Sequence, residues 1–359
     1  MRKDPRKDRG LLQALKQVAP GTALRAGIDD IIRARLGALI VIGEPSSLSF
    51  LFSGGMRLDL PFTSQHLYEL AKMDGAIIIN SAITRLVYAN VQLMPDPNIP
   101  SAETGTRHRT AERVAKQTDA LVISISQQRE TVTIFIGDVR YQLGEISDVL
   151  ARTNQALGTL ETYRARLDQG LTRLTALEFQ GAVTLDDVLV VLQRAEMTTR
   201  MAEEIERNCI ELGEEGRLIR MQLDDLMEQV PREKAAIVYD YEADPGRNAA
   251  VLDELAALPF HRLLDFEELT ELLGYPRDVN PLDVSVQPRG YRVLSQVPRI
   301  PDSVVRHVVR DFGSLDAIIR ASHRDLEAVD GVGAVRAREI REGLRRLQEH
   351  NLVDRYLQL

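Results

Sequence analysis

Residues 129–145 read RETVTIFIGDVRYQLGE. The run TVTIFIG (131–137) is β-branched and apolar, Gly137-Asp138 supplies a two-residue turn, and the chain resumes behind it. That pattern is an antiparallel hairpin. Working upstream, ALIVIG (38–43), GAIIIN (75–80), RLVYANVQL (85–93) and ALVISIS (120–126) are continuous apolar or alternating runs, often punctuated by Gly, Asp or Asn, and read as strands. Helical spacing lies between them at about 10–18, 22–36, 64–72 and 107–118, with Thr22 and Ser64 as expected caps. The hairpin rules out a purely parallel sheet. An α/β N-terminal domain with a mixed β-sheet flanked by helices is therefore expected.

From about residue 148 the apolar period becomes helical. Leu160, Leu167 and Leu174 recur every seven residues, with Leu150, Leu157 and Leu171 on the adjacent seam and Arg164 interrupting it. Such a stripe faces either a partner or, the ordinary case, the chain's own core. Gly181 ends this helix, and Thr184 with Asp187 forms a capping box that starts a second one towards Leu212. Gly213 and Gly216 turn into a third, which stops before Pro231. The Pro- and Gly-rich loop GYPRDVNPLDVSVQPRG (274–290) marks the next boundary. The expected organisation is a mixed-sheet domain (1–148), an all-α helical spine (149–288) and a small all-α C-terminal unit (289–359).

Charge is distributed unevenly along the chain. Residues 1–150 hold 18 basic against 16 acidic side chains, residues 151–289 hold 15 against 27, and residues 290–359 hold 12 against 10. An acidic middle repels polyanions, so phosphate chemistry is expected at the two ends. The single Cys209 excludes an internal disulfide and a cysteine-based zinc cluster. With no apolar run near the ~20 residues that span a bilayer, and no signal-type core behind MRKDPRKDRG, the simplest reading is a cytoplasmic protein without a membrane partner.

Two stretches suggest phosphate binding. In ETGTRHRTAERV (103–114), Gly105 and Thr106 read as loop and cap, which puts Arg107, His108 and Arg109 in a first helical turn. Cationic side chains are unfavourable there against the helix dipole, and a bound phosphate reverses the sign. A solvated basic turn is the plain alternative. In DLEAVDGVGAVRAREI (325–340), a helix ending near Ala328 leads through Gly331-Val332-Gly333 into a second helix carrying Arg336 and Arg338. That spacing resembles the helix-hairpin-helix of sequence-tolerant DNA binders, although a simple helix–helix turn has the same glycines. LSQVPRIPDSVVRHVVRDFG (294–313) looks like a degenerate copy in which Pro298 and Pro301 remove N–H donors. Asp74-Gly75, taken alone, reads as a turn. Neither a GxxxxGK[ST] loop nor a strand–GxGxxG–helix is present.

Asp74-Gly75-Ala76, followed downstream by Gly105-Thr106-Arg107-His108-Arg109-Thr110, resembles the DGA and RHR signatures of diadenylate cyclases. The order of regions resembles the DNA-integrity-scanning family, which joins that cyclase domain to a helical spine and a tandem helix-hairpin-helix. The resemblance implies synthesis of cyclic di-AMP from two ATP molecules with Mg²⁺ or Mn²⁺. It assigns catalysis and metal binding to Asp74, and ATP binding to Gly75, Leu93, Thr106, Arg107, His108, Arg109 and Thr110, with Ser126 and Arg129 as further members. It assigns sequence-independent contacts with branched DNA to Gly331, Gly333, Arg336 and Arg338. It further implies a nucleoid-associated homo-octamer in which pairs of sites face each other. The alternative is a non-enzymatic nucleotide-binding DNA-repair scaffold.

Overall fold

The structure of the protein is a computed structural model that describes residues 5–357, with side-chain surroundings for 9–349. The chain divides into two compact units, one of residues 1–155 and 205–222, the other of residues 156–204 and 223–359.

The first unit is built on a sheet ordered β2-β5-β4-β1-β6-β7-β8, with β3 also paired to β5. Its strands are β1 (Ala38–Ile42), β2 (Phe52–Ser53), β3 (Met56–Pro61), β4 (Ala76–Ile79), β5 (Arg85–Leu93), β6 (Leu121–Ile125), β7 (Val132–Ile136) and β8 (Val139–Gln142). Only β1 and β4 run parallel; the expected hairpin is β7–β8, with Ile136 opposite Val139. The sheet is mixed, as the opening stretch requires. Helices α1 (Pro5–Val18), α2 (Ala23–Arg33), α3 (Pro45–Leu48), α4 (Ser64–Leu70) and α5 (Thr106–Gln117) surround it.

Period-two alternation sorts the central strands between two cores. Ala38, Ile40 and Ile42 pack with Leu15, Ile28, Ile31 and Leu67 from α1, α2 and α4, whereas Leu39 and Val41 pack with Ala111, Val114 and Ala115 of α5. Because helices cover both faces, the strands read as continuous apolar runs. Each fully buried isoleucine, such as Ile40 or Ile78, contributes roughly 1.5–3 kcal/mol by leaving water.

Two local expectations change. Thr22 does cap α2, accepting the Arg25 N–H, but α4 is capped by Thr63, which accepts the His66 N–H, and Ser64 is already helical. Thr63 has the extended backbone that a capping residue needs. β3 has no counterpart among the strands expected from sequence. Its residues are almost all exposed, Asp59 has φ +51°, and its register with β5 shifts between Arg57 and Leu60, so alternation is lost.

The long helices are α6 (Ile146–Gln180), α7 (Leu185–Leu212) and α8 (Arg217–Met227). The capping box forms: Asp187 N–H donates to Thr184 Oγ1 (3.4 Å) and Thr184 N–H to Asp187 Oδ2 (3.2 Å). The leucine stripe is internal. Leu167, Leu171 and Leu174 pack against Val183, Leu189, Leu192 and Ile237, and Leu157 and Leu160 are buried as well. Arg164, which interrupts the seam, pairs with Glu233 (3.2 Å) and Asp168 (2.9 Å). Shorter helices follow: α9 (Val230–Tyr241), α10 (Asn248–Ala257), α11 (Phe260–Leu263) and α12 (Phe266–Leu272).

The C-terminal helices are α13 (Tyr291–Ser295), α14 (Asp302–Phe312), α15 (Leu315–Arg320), α16 (His323–Glu327) and α17 (Ala334–Leu357), around a core of Val305, Val308, Leu326, Ile340 and neighbours. A buried polar knot joins α13 to α6 and α9. Arg292, 1% exposed, donates from Nε to Glu178 (3.0 Å) and from Nη2 to Thr175 Oγ1 (2.8 Å). Tyr241 donates its hydroxyl to Glu178 (2.7 Å), and Asp240 accepts the backbone N–H groups of Gly290, Tyr291 and Arg292 at 2.6, 2.7 and 2.9 Å.

Candidate active site

Register brings the candidate residues of the first unit to one end of the sheet. Ala76 lies opposite Leu39 of β1 and Val91 of β5; Ile125 lies opposite Ala38 of β1 and Val132 of β7. Asp74 and Gly75 precede β4, Leu93 ends β5, Ser126 follows β6 and Arg129 precedes β7, so all five meet at the same edge. Helix α5 starts there too. Its Arg107 Nη1 points to the Ile125 carbonyl at 3.5 Å.

Gly75 is required twice over. Its φ is +88°, and a Cβ there would sit 2.8 Å from the Asn90 carbonyl carbon. The close approach of β5 thus fixes the Asp74-Gly75 turn and leaves the Asp74 carboxylate exposed, with no ion-pair or hydrogen-bond partner among the described residues. Leu93 is 8% exposed and belongs to the α5-side core.

The start of α5 differs from the expected cap. Gly105 occupies the N-cap position without a side-chain hydrogen bond, and Thr106 is the first helical residue. The first backbone bond runs from Arg109 N–H to Gly105 O (2.9 Å), so the N–H groups of Thr106, Arg107 and His108 precede the ladder, as at any helix start that can receive an anion. The exposed Thr106 hydroxyl and the half-buried Thr110 lie in the same opening turns.

The basic triplet does not act as three like charges. His108 stacks edge-on against Phe135, with centroids 6.4 Å apart. Burial lowers its pKa below the ordinary 6.5; nearby Arg140, Arg107 and Arg129 add to this and Glu103 opposes it. The shift favours the neutral imidazole, which relieves the repulsion inherent in Arg-His-Arg. Arg109 turns back on its own loop, donating to the carbonyls of Glu103 (3.3 Å) and Thr104 (3.2 Å). Ser126 Oγ accepts the Arg129 N–H (3.3 Å), tightening the β6–β7 connection beside the site.

Sequence reasoning missed the residues that hold this corner. Gly37 leaves room for Arg107: a Cβ at Gly37 would lie 2.1 Å from Nη1. Glu103 pairs with Arg140 of β8. Glu112 accepts from Lys116 (2.7 Å), the Ala102 N–H (3.1 Å) and the Ser101 hydroxyl, while Arg113 and Lys116 reach the carbonyls of Ile99 and Pro100, both at 2.9 Å. Burial works against Glu112 ionisation, but these donors outweigh it and its pKa is lowered. The loop after β5 is thereby fastened along the helix it introduces. Only the i,i+4 Glu112–Lys116 pair had a signal in the sequence.

In the C-terminal region, Gly331 has φ +81° and α17 starts just beyond Gly333, its first backbone bond running from Ala337 N–H to Gly333 O (3.0 Å). Arg336 folds back onto the Gly331 carbonyl (2.7 Å), and Arg338 is exposed. His307 of α14 donates Nδ1–H to the Asp330 carbonyl (2.9 Å). The stretch 294–313, read from sequence as a degenerate copy, spans the α13–α14 turn, where Pro301 holds the N-cap and Arg299 has φ +66°.

Two family models match the chain. The DisA bacterial checkpoint controller nucleotide-binding region covers residues 25–139, which include every candidate residue of the sheet edge, and the DisA bacterial checkpoint controller linker region covers residues 143–282. Proteins named DNA integrity scanning protein DisA match over nearly their whole length. The protein from Carboxydothermus hydrogenoformans is 49% identical over 96% of this chain and 98% of its own. Those from Acetivibrio thermocellus (46%; 98% of each chain) and Bacillus pumilus (47%; 97% of each) are similar. The chain belongs to the DisA family. For a DisA-family chain the sheet edge lies in the nucleotide-binding region and α6–α12 largely in the linker. Residues 283–359 lie beyond both family models. No described helix is long and apolar enough to cross a membrane.

Proposed function

We propose that this chain condenses two ATP molecules into cyclic di-AMP and two pyrophosphates. The observation that carries the reading is the meeting, at one sheet edge, of an unpaired carboxylate (Asp74) with an uncapped helix start that bears guanidiniums. In each half-reaction the ribose 3′-oxygen of one ATP forms a bond to the α-phosphorus of the other, the bond to the departing pyrophosphate breaks, and the 3′-hydroxyl proton leaves to an unassigned base. Arg107 and the N–H groups of Thr106–His108 bind phosphate oxygens, with Arg129 and Ser126 at the rim. Neutral His108 donates a hydrogen bond without adding charge. Arg109 keeps the loop in place and binds phosphate once released from its carbonyls.

The edge also suits a divalent cation. Among the described residues no group of three or more His, Cys, Asp or Glu side chains exists, so no closed protein cage is present. Mg²⁺ and Mn²⁺ accept one carboxylate plus phosphate oxygens and water. Asp74 is the one carboxylate that would hold such an ion, which when bound lowers the pKa of the attacking hydroxyl and offsets phosphate charge.

Each ATP must attack the other, so two sites have to face one another across a two-fold interface, within the octamer that the family resemblance implies. The Gly331–Gly333 turn, with Arg336 and Arg338, would contact DNA phosphates without base readout, and bound branched DNA would lower turnover.

Incubation with ATP and Mg²⁺ or Mn²⁺, followed by anion-exchange chromatography with mass detection, should yield cyclic di-AMP with the native chain and none with Asp74→Asn. A four-way junction added at low salt should slow the reaction, and Gly331→Ala/Gly333→Ala should remove that effect while sparing the basal rate. If the native oligomer makes no product with either metal, the nucleotide-binding scaffold becomes the better reading.

A further inference from the structure

A well-formed cavity of the first unit lies away from the candidate active site. It lies at the opposite end of the same sheet, where Ile42 ends β1 opposite Leu121 at the start of β6. β1 is five residues long, so the two ends are roughly 15 Å apart. The cavity holds about 600 Å³, within the range of small-molecule sites. Its floor is apolar, from Ile42, Leu48 and Ile136.

We propose that this cavity binds a small organic cation: an amidinium, guanidinium or amine carried on a compact, flat body. Three observations give that chemistry. First, among the described residues the lining contains two carboxylates, Glu44 and Asp119, and no Lys, Arg or His. Both are exposed, and neither has an ion-pair partner among the described residues. An anion such as a second nucleotide is repelled there, whereas a cation neutralises both groups. Second, Phe50 stands at the lining with 63% of its surface exposed. A large ring left in water beside two carboxylates offers a planar cation both a stacking face and counter-charge. Third, Gln13 and Gln17 of α1 and Ser47 of α3 add side-chain acceptors to the wall with no side-chain hydrogen bond of their own among the described residues. Several acceptors around an apolar floor match a ligand with several N–H donors and an apolar body.

The probes are three isosteres that differ in charge: benzamidine (cation), benzamide (neutral) and benzoate (anion), titrated calorimetrically into the full chain at low salt. Benzamidine should bind saturably and at least about tenfold tighter than benzamide, with no binding of benzoate. Glu44→Gln/Asp119→Asn should weaken benzamidine about tenfold or more, with the melting temperature retained. Phe50→Ala should weaken both benzamidine and benzamide. Glu204→Gln, an exposed carboxylate elsewhere, should change nothing. The proposal is overturned if the three probes bind alike, if Glu204→Gln weakens binding as much as the double variant, or if benzamidine at about 10 mM gives no saturable heat. None of these readouts involves ATP turnover, so they stand apart from the proposed reaction.

Discussion

The two ends of one sheet have opposite chemistry. At the end where β4 begins, Arg107, Arg109 and Arg129 gather around a helix start, the loops are fastened by side-chain bonds, and Asp74 is an exposed carboxylate without an ion-pair partner among the described residues. At the end where β1 stops, the chain leaves an open, apolar-floored cavity with carboxylates and amides on its walls and no cationic lining among the described residues. The same strands serve both ends, so the cores do not account for the difference. It comes from the connections: a glycine-led helix start at one end, and α3 with the α5–β6 turn at the other. A single α/β frame therefore carries a basic end and an acidic-lined end roughly 15 Å apart.

The strongest way to break this comparison is to exchange the consequences of mutation between the ends. Arg107→Ala/Arg109→Ala should reduce cyclic di-AMP formation by about 100-fold or more, the scale seen when donors to a developing charge are removed. Glu44→Gln/Asp119→Asn, measured in the same chromatographic assay, should leave it within about twofold, as expected of distant sites. Equal losses would mean that the two ends are one functional site.

A second contrast concerns glycines at each end. Gly75→Ala meets both a positive φ and a 2.8 Å approach to Asn90, and strain of this kind costs about 1–3 kcal/mol. Gly43→Ala, at the cavity end, meets Leu48 and Ala120 side-chain atoms at 3.1 Å with no positive φ, so it should cost less. Thermal denaturation of the two variants should rank them in that order.

The smallest effect concerns His108. Its folded-state pKa is lowered, so the folded protein holds this proton less tightly than the unfolded chain does. Its contribution to stability is therefore complete above the unfolded value and declines as pH falls through that value towards the lowered one. The imidazole resonances of His108 should titrate below the ordinary midpoint of 6.5, and Phe135→Leu should move the midpoint upward. An unshifted midpoint would mean that burial against Phe135 does not disfavour the imidazolium.

Much of this organisation is legible in the residues themselves. The β7–β8 hairpin, the two long helices and the Thr184–Asp187 capping box follow from local patterns. The DGA and RHR stretches lead to an edge that only the register could assemble. What stayed hidden depends on tertiary context. β3 lacks alternation because it is exposed and bulged at Asp59. Thr63 and Ser64 are equally good capping residues by composition, and only the backbone angle selects between them. Gly37 and the Glu103–Arg140 pair act across long sequence separations, where no periodic signal exists. Burial against Phe135 lowers the pKa of His108, which its neighbours in sequence do not reveal.

The knot around Arg292 bears on where this chain can be divided. By composition, the loop before residue 289 is an obvious place to cut. Yet a fragment beginning there would carry Arg292 without Glu178, and would lose the Asp240 carboxylate that receives the N–H groups of the N-cap Gly290 and of the first two residues of α13. The remaining, longer piece would retain Glu178 and Asp240 without their donors. Breaking a buried pair in this way costs about 3–5 kcal/mol, enough to unfold a small helical unit. The last region behaves as a graft whose root lies in α6 and α9, and a separable version would have to take those helices with it.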